Sequence, residues 1–157
     1  MAVVTGGAMG IGRSACSLLA GEGAIVAVTD LLDEAGRLTT REIQNAGGKA
    51  EFWHLDVSQE EGVKRVLDEI RINFRRIDVL VNNAGISGAN KPTHEVTEQE
   101  WDTLMAVNVK GVFFCTKHVI PHMKTTGGGS IINLSSIYGL VGAAMYLRTM
   151  HRRELCA

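Results

Sequence analysis

Short apolar runs and helical segments alternate along this chain, and that alternation constrains the fold more than any other feature. Five short runs predict β-strands, and they lie at residues 2–5, 24–29, 51–55, 78–81 and 130–134. Glycines end most of the helical segments that separate them. Right-handed crossovers between parallel strands place the connecting helices on both faces of a sheet. The alternation therefore predicts an α/β fold built on a doubly wound parallel sheet.

The helical segments carry apolar residues at a regular spacing. After the first strand, apolar side chains recur at helical spacing at Ile11, Ala15, Leu18 and Leu19. A second helix is predicted over residues 33–46, and Ser58 is predicted to cap a third. The buried face of the third helix is predicted to consist of Val63, Val66, Leu67, Ile70 and Phe74. A long helical region begins near residue 97 and ends at glycines 127–129.

Composition argues against several classes of protein. The chain has 157 residues, of which 45% are apolar and 21% charged, and its net charge is −1. The length suits one domain, and a near-neutral chain without a long basic run is not expected to bind nucleic acid. No apolar stretch is long enough to span a bilayer, and Met1 begins directly on a strand-like run, so we expect neither a signal peptide nor membrane contact. Three scattered cysteines, at positions 16, 115 and 156, indicate no disulfide framework or zinc site, and a reducing, cytoplasmic location fits best.

A glycine-rich turn follows the first predicted strand. Between Thr5 and Gly12, glycines occupy positions 6, 7, 10 and 12. Glycines at such a turn let the backbone approach a pyrophosphate, and the helix that follows exposes its N-terminal amides to an anion. The alternative is a tight turn without a ligand, but the position between a strand and a helix favours the phosphate interpretation.

Acidic residues follow the second and third predicted strands. Asp30 stands 18 residues after Gly12, where a carboxylate can accept hydrogen bonds from both adenosine ribose hydroxyls and repel a 2′-phosphate. This position predicts NAD in preference to NADP. The alternative is that Asp30 only caps the helix that follows. Asp56 could bond an adenine amino group, or it could simply start a turn.

Five motifs occur in the order and at the spacing typical of one family. They are Thr5-Gly6-x-x-x-Gly10-x-Gly12, Asp56-Val57, Asn82-Asn83-Ala84-Gly85, Asn108-Val109-x-Gly111 and Ile131-x-Asn133-x-Ser135-Ser136. Through them, residues 2 to about 144 resemble the short-chain dehydrogenase/reductase family. The resemblance implies a Rossmann-type sheet with strand order 3-2-1-4-5. It also implies an oxidoreductase that transfers hydride between NAD(H) and a secondary alcohol or ketone.

The resemblance assigns roles to individual residues. It implies that the cofactor is bound by Gly6, Gly10, Ile11, Gly12, Asp30, Asp56, Val57, Asn83, Ala84 and Gly85. Asn82 would stabilise the central sheet. Asn108 would sit at an irregularity in its long helix and hold a proton-relay water, and Ser136 would hydrogen-bond the substrate oxygen. The loop at 86–93 and the segment after Gly139 would line the substrate site, and no metal is implied.

The last residues depart from the family's pattern. That pattern requires a tyrosine thirteen residues after Ser136 and a lysine four residues further on, where this chain has Thr149 and Arg153. A threonine is too weak an acid to serve as the general acid or base. A one-nucleotide shift of reading frame near residue 144 allows codons for Tyr-x-x-x-Lys at these positions, so we predict a frameshift, with a divergent family member as the alternative. The predicted organisation is an incomplete NAD-binding domain over residues 1–144 and an aberrant tail over 145–157.

Two classes of function follow. The first is an oxidoreductase by descent, similar to family members that act on cyclic alcohols, hydroxysteroids or 3-oxoacyl thioesters, although this chain itself is expected to be catalytically defective. The second is a non-catalytic dinucleotide-binding fragment, or the non-functional product of a damaged gene. No residue favours a third class, a Rossmann-type scaffold.

Assembly is also expected to depart from the family's pattern. The resemblance implies that full-length relatives are homo-oligomers. In this chain the predicted strand at 130–134 would present an apolar edge, and Phe113, Phe114 and Ile120 would face water. We therefore expect the chain not to form the family's usual assembly.

Overall fold

The computed structural model describes residues 1–89 and 91–136. Across these residues the chain forms one parallel sheet of five strands in the order β3-β2-β1-β4-β5. The strands are β1 (Ala2–Thr5), β2 (Ile25–Asp30), β3 (Lys49–His54), β4 (Val79–Asn82) and β5 (Ser130–Asn133). The predicted fold class and strand order are confirmed, with strand ends that differ from the predicted ones by up to two residues.

Helices connect the strands and cover both faces of the sheet. They are α1 (Gly10–Gly21), α2 (Asp33–Asn45), α3 (Glu60–Phe74), α4 (Glu98–Met105) and α5 (Gly111–Thr125). A 3-10 turn, Thr93–Glu95, precedes α4, and a π turn, Ala106–Lys110, joins α4 to α5. None of the helices in the described part of the chain is long and apolar enough to cross a membrane.

The two faces of the sheet form two separate cores. Val4 and Val28 pack with residues of α1 and α2 on one face. Val3 and Ala27 pack with residues of α3 and α5 on the other. Successive residues of a strand point to opposite faces, so β1 and β2 are buried on both sides and need apolar side chains at consecutive positions.

The third helix buries the face that the sequence predicts. The exposed fractions of Val63, Val66, Leu67 and Ile70 are 3% or less. Phe74 is partly buried and packs edge-on against the ring of Trp53, with 5.9 Å between the ring centroids. This helix therefore supplies much of the core beneath β1 and β4.

The predicted cap of α3 is wrong. The residue at the N-cap position is Gln59, and its side chain makes no capping hydrogen bond. The Ser58 hydroxyl donates instead to Asp56 Oδ1, at 2.7 Å. Asp56 Oδ1 accepts from both the N–H and the hydroxyl of Ser58 and so holds the serine in the turn before the helix.

The first helix turns a different face to the sheet from the one suggested by its large apolar residues. Ile11 and Leu18 are 69% and 72% exposed, whereas Gly12, Cys16 and Ala20 are buried. The other two residues of the predicted spacing, Ala15 and Leu19, are partly buried against the core. The residues of α1 that are fully buried are small, which indicates a close approach of the helix to the sheet.

The described cysteines are unreactive thiols. Burial raises the pKa of Cys16 and of Cys115 to about 12, and Asp30 adds to the increase at Cys16. Neither forms a disulfide. Because the thiolate is the reactive form, neither residue is a nucleophile at neutral pH.

Candidate functional site

A cleft of about 460 Å³ opens at the carboxyl ends of the strands. It lies where the strand order reverses, between β1 and β4, which is the usual ligand site of open parallel sheets. Among its lining residues are eight of the ten predicted to bind a cofactor: Gly6, Ile11, Asp30, Asp56, Val57, Asn83, Ala84 and Gly85. The other two, Gly10 and Gly12, belong to the same glycine-rich turn but do not line the cleft.

The glycine-rich turn and the turn after β4 touch each other so closely that side chains are excluded. Gly6 has a positive φ of 65°, and a Cβ there would lie 2.8 Å from the Cα of Ala84. A Cβ on Gly12 would lie 2.0 Å from the carbonyl oxygen of Gly6 and 2.4 Å from Asn83 Nδ2. Glycine is therefore required at both positions by the packing of the protein itself.

Hydrogen bonds from Thr5 and Asn83 connect the same two turns. The Thr5 hydroxyl accepts from the backbone N–H groups of Asn83 and Ala84, each at 3.0 Å. Asn83 Nδ2 donates to the carbonyl oxygens of Thr5 and Gly6, each at 2.9 Å. Sequence analysis identified Asn83 as a cofactor residue but gave no role to Thr5, the first residue of the glycine-rich motif, whose partners lie 78 and 79 residues away.

Asp30 binds the backbone of two segments, the glycine-rich turn and the start of α2. Its Oδ2 accepts from the N–H of Ala8 in the glycine-rich turn, and its Oδ1 accepts from the N–H of Leu32, both at 3.0 Å. Leu32 is the N-cap residue of α2, and that helix has no side-chain cap. Asp30 thus binds the backbone at the start of α2, as the alternative interpretation suggested, and also binds the glycine-rich turn, which that interpretation did not include.

Asp56 starts a turn, as one of its two interpretations predicted. Its Oδ1 accepts from the N–H of Ser58 at 2.9 Å and from the Ser58 hydroxyl at 2.7 Å. The residue also lines the cleft, so contact with a bound ligand remains compatible with this structural role.

Asn108 lies in the π turn between α4 and α5, which confirms the predicted irregularity of the helix. It is 1% exposed. Its Oδ1 accepts from the N–H of Ile86 and its Nδ2 donates to the carbonyl oxygen of Ile86, both at 2.9 Å. The side-chain amide thus fixes Ile86, in the loop that follows Gly85. Ile86 in turn contributes to the wall of the cleft.

The remaining predicted residues lie near β5. Asn82 Nδ2 donates to Asn133 Oδ1 at 2.9 Å and to the Thr116 hydroxyl at 3.2 Å, which links β4, β5 and α5 as a sheet-stabilising residue would. Ser136 is half-buried, follows β5, and does not line the cleft. The predicted tail over 145–157 and the positions of Thr149 and Arg153 lie outside the described residues.

Sequence reasoning missed five apolar residues of the cleft wall, which are Met9, Leu31, Leu32, Leu55 and Val107. They lie with the predicted cofactor residues Ile11, Val57 and Ala84 and with Ile86, which was predicted to line the substrate site. Leu31 and Leu32 are 54% and 49% exposed in a turn where polar residues are usual, and that exposure could have signalled a ligand surface. Apolar walls beside a carboxylate and a helix N-terminus suit a ligand with flat rings, hydroxyls and an anionic centre.

Glu100 fixes the start of α4, the helix that leads into the Asn108 turn. A hydrogen bond from Lys91, with Nζ at 2.7 Å, and further bonds from the Thr97 backbone and hydroxyl lower the pKa of this carboxyl from 4.5 to about 2. A carboxyl whose pKa is lower in the folded state stabilises the fold above its unfolded pKa. That stabilisation is lost as the pH falls from about 4.5 through about 2.

Glu100→Gln is therefore expected to lower the melting temperature at pH 6, by an amount that shrinks steadily below about pH 4.5. Thermal unfolding followed by circular dichroism across this range measures the difference. Glu98→Gln, in the same first turn of α4, is the control and should show a smaller difference. A difference between wild type and Glu100→Gln that stays constant down to pH 2.5 would contradict the assignment.

Metal chemistry has no candidate centre in the described part of the chain. No group of three or more His, Cys, Asp or Glu side chains among the described residues is arranged to hold a metal ion.

Three features define a Rossmann-type α/β protein. They are the parallel sheet, the reversal of its strand order beside β1, and the glycine-rich turn next to Asp30. The chain belongs to the short chain dehydrogenase family, whose model matches residues 1–147. It is thus a member of an oxidoreductase family that uses nicotinamide dinucleotides, as the motifs predicted.

Similar proteins include dehydrogenases of ring alcohols. Cyclopentanol dehydrogenase of Comamonas sp. is 48% identical over 141 residues, which make up 90% of this chain and 56% of that protein. Cis-4-hydroxycyclohexanecarboxylate dehydrogenase of Sinomonas cyclohexanicum is 40% identical over 144 residues, 92% of this chain and 57% of that protein. The chain spans a little over half the length of these curated relatives.

A solved structure shares the fold closely. The crystal structure of a metagenomic short-chain oxidoreductase in complex with NADP aligns with a TM-score of 0.87 at 38% identity. The alignment covers 91% of this chain and 65% of that one.

Proposed function

We propose that this chain binds NAD in the cleft at the switch point. We further propose that it forms the cofactor-binding part of an oxidoreductase that interconverts a secondary alcohol and a ketone. The observation that carries the proposal is the Asp30 carboxylate in the cleft wall, hydrogen-bonded to the glycine-rich turn. When bound, the dinucleotide would supply the hydride chemistry. The residues of the chain hold and orient it.

Asp30 has the capacity to bind a ribose while it supports the backbone. A carboxylate offers about four acceptor positions. The N–H groups of Ala8 and Leu32 occupy two of them, which leaves two for the hydroxyls of the adenosine ribose. A 2′-phosphate at the same place would bring negative charge against the carboxylate, so NAD is favoured over NADP.

The other predicted cofactor residues surround this position. The N-terminus of α1, with Gly10 and Gly12, would face the diphosphate and attract its charge. Asp56 and Val57 would border the adenine. Ala84 and Gly85 would lie beside the nicotinamide half, next to Ile86, which Asn108 holds in place.

The proposed substrate is a small cyclic secondary alcohol or the corresponding ketone. A second cavity of about 360 Å³ shares Ile86 with the cofactor cleft and is lined by Ser87, Gly88, Gln99 and Thr103, among others. Its position beside the proposed nicotinamide end supports a substrate site there. The two ring-alcohol dehydrogenases that resemble this chain support the substrate class. Ser136 would hydrogen-bond the substrate oxygen, and the π turn at Asn108 would hold a relay water.

Asp30→Ala is expected to relax the choice between the two cofactors. Loss of the carboxylate removes charge-assisted hydrogen bonds to the ribose and should weaken NAD binding about tenfold or more, while NADP is no longer repelled. The dissociation constant for NADP divided by that for NAD should therefore fall by about 10- to 100-fold. Titration of wild type and variant with both reduced cofactors, followed by nicotinamide fluorescence, measures the ratio.

Asp33→Ala is the matched control for this experiment. Asp33 carries the same charge three residues further on but pairs with His54. Its removal tests the general effect of negative charge at this end of the cleft, and the cofactor ratio should change by less than about threefold. An Asp30→Ala variant that keeps the wild-type ratio would remove Asp30 from the ribose site.

A non-catalytic dinucleotide-binding role is the second candidate, because Thr149 and Arg153 stand where the family pattern has tyrosine and lysine. Cofactor binding without turnover on a panel of ring alcohols and ketones would favour it. Sequencing the coding DNA over codons 140–157 distinguishes a frameshift from a divergent tail.

A further inference from the structure

Three hydrogen bonds hold Gly7 and Ala8, at the centre of the glycine-rich turn. Gly7 N–H donates to the Thr29 carbonyl oxygen, and Ala8 N–H donates to Asp30 Oδ2, both at 3.0 Å. The hydroxyl of Thr39, on α2, donates to the Ala8 carbonyl oxygen, also at 3.0 Å. Both polar groups of the Ala8 backbone are thus fixed, and Ala8 itself is 3% exposed.

From this geometry we infer that Thr39 is a positioning residue for the dinucleotide site, an inference that rests on the function proposed above. Thr39 is 1% exposed and does not line the cleft. It acts through the peptide bond between Ala8 and Met9. In a trans peptide the C=O and the following N–H point in opposite directions. Thr39 holds the Ala8 carbonyl toward α2 and therefore directs the Met9 N–H away from α2.

The direction of that N–H matters because Met9 stands immediately before α1. Met9 is the N-cap residue of the helix, and it lines the cleft. Amides at a helix N-terminus bind an anion only when they point at it together. A fixed Ala8–Met9 peptide would therefore preorganise the first turn of α1 for a diphosphate and reduce the ordering cost of binding.

The neighbouring threonine provides a matched control. Thr40 is also buried, but its hydroxyl donates to the Gly36 carbonyl oxygen in its own helix, at 3.0 Å. Thr39 and Thr40 thus have the same side chain, the same helix and similar burial. They differ in whether the hydroxyl reaches the glycine-rich turn.

The test compares Thr39→Val, which removes the hydroxyl and keeps the volume, with Thr39→Ser, which keeps the hydroxyl and removes a methyl group. Two quantities are measured: hydrogen exchange of the amides of residues 6–12 without ligand, and the dissociation constant for NADH. Thr39→Val is expected to accelerate exchange in the turn and to raise the dissociation constant, each about tenfold. Thr39→Ser and Thr40→Val should stay within about threefold of wild type in both.

A role in packing alone predicts the reverse order, with Thr39→Ser impaired and Thr39→Val near wild type, and that result would overturn the inference. Unchanged exchange in a folded Thr39→Val protein would overturn it as well. If Thr39→Val does not fold, Thr39→Ala against Thr39→Ser isolates the hydroxyl: faster turn exchange in Thr39→Ala supports the inference, and equal exchange overturns it. If wild type binds no NADH while Thr39→Val still accelerates exchange, the proposed function fails and the ordering of the turn by Thr39 stands.

Discussion

Replacing Gly12 with alanine is expected to lower the melting temperature by roughly 6–12 °C and to weaken dinucleotide binding by at least about tenfold. The new Cβ would lie 2.0 Å from the Gly6 carbonyl oxygen and 2.4 Å from Asn83 Nδ2. The carbonyl is part of the backbone, so it lacks the freedom of a side-chain end to move aside. Relief requires α1 to shift from the turn, at a cost of about 3 kcal/mol, the upper end of the usual range for overpacking.

The same shift explains why binding should suffer along with stability. Asn83 Nδ2 donates to the carbonyl oxygens of Thr5 and Gly6, and these bonds hold the two turns that border the cleft. A Cβ at Gly12 presses on both the donor and one acceptor. Separation of the turns would widen the cleft between Gly6 and Ala84, where the proposed cofactor lies.

Gly21→Ala is the matched control, since it places the same methyl group at the other end of the same helix. No atom lies within 4 Å of a Cβ at Gly21. Alanine also favours the helix, so stability should rise by up to about 1 kcal/mol while NADH binding stays unchanged. Thermal unfolding and NADH titration of both variants give the comparison. A Gly12→Ala protein that melts and binds like wild type would show that the turn accommodates a side chain.

The fold could be predicted from the sequence because its signals are local. Strands β1 and β2 are buried on both faces, so their apolar residues are consecutive and easily recognised. The face of α3 was predicted correctly because its large side chains, such as Leu67 and Ile70, fill a deep core. Glycine-terminated helices between such strands leave few arrangements other than a doubly wound sheet.

The same local reasoning failed where backbones approach closely. In α1 the large residues Ile11 and Leu18 face outward, whereas Gly12 lies against the Gly6 carbonyl, where a side chain would not fit. Spacing alone gives no sign of that distance. Ser58 was assigned to a cap because its residue type suits one, but it lies in the turn that Asp56 begins, one residue before the N-cap position.

The site was predicted as a set of residues but not as a network. The order of the motifs identified Asn83, and the position after the second strand identified Asp30. Their hydrogen-bond partners, however, include backbone groups of the glycine-rich turn, 77 and 22 residues away in the chain. Thr5 opens the first motif without a role that the sequence reveals, and Thr39 belongs to no motif, since a buried threonine hydroxyl acquires its role only from the carbonyl or amide that folding brings to it. Contacts of this kind require the tertiary structure.

The 157-residue chain is expected to oxidise cyclopentanol with NAD about 100- to 10,000-fold more slowly than cyclopentanol dehydrogenase of Comamonas sp.. The expectation follows from Thr149 and Arg153, which stand where the family pattern has a tyrosine and a lysine. A positioned general acid or base contributes about two to four orders of magnitude to a rate. A threonine hydroxyl cannot exchange the proton of the substrate oxygen near neutral pH, and an arginine has no phenol to activate.

In a chain extended by the C-terminal third that the relatives have, the double variant Thr149→Tyr with Arg153→Lys tests this cause, and it is expected to raise kcat by about 100-fold over the same extended chain without the two substitutions. Thr149→Tyr alone should gain much less, because a phenol without a neighbouring cation keeps its pKa near about 10 and is a poor base at neutral pH. Arg153→Lys alone should gain nothing, since it supplies a cation with no group to act on. NADH titration of all four proteins separates the chemical step from cofactor binding, which neither substitution is expected to abolish.

Turnover by the unmodified chain within tenfold of the Comamonas enzyme would contradict the prediction. Equal turnover in the double variant and Arg153→Lys would instead show that the proton is transferred by a group other than residue 149.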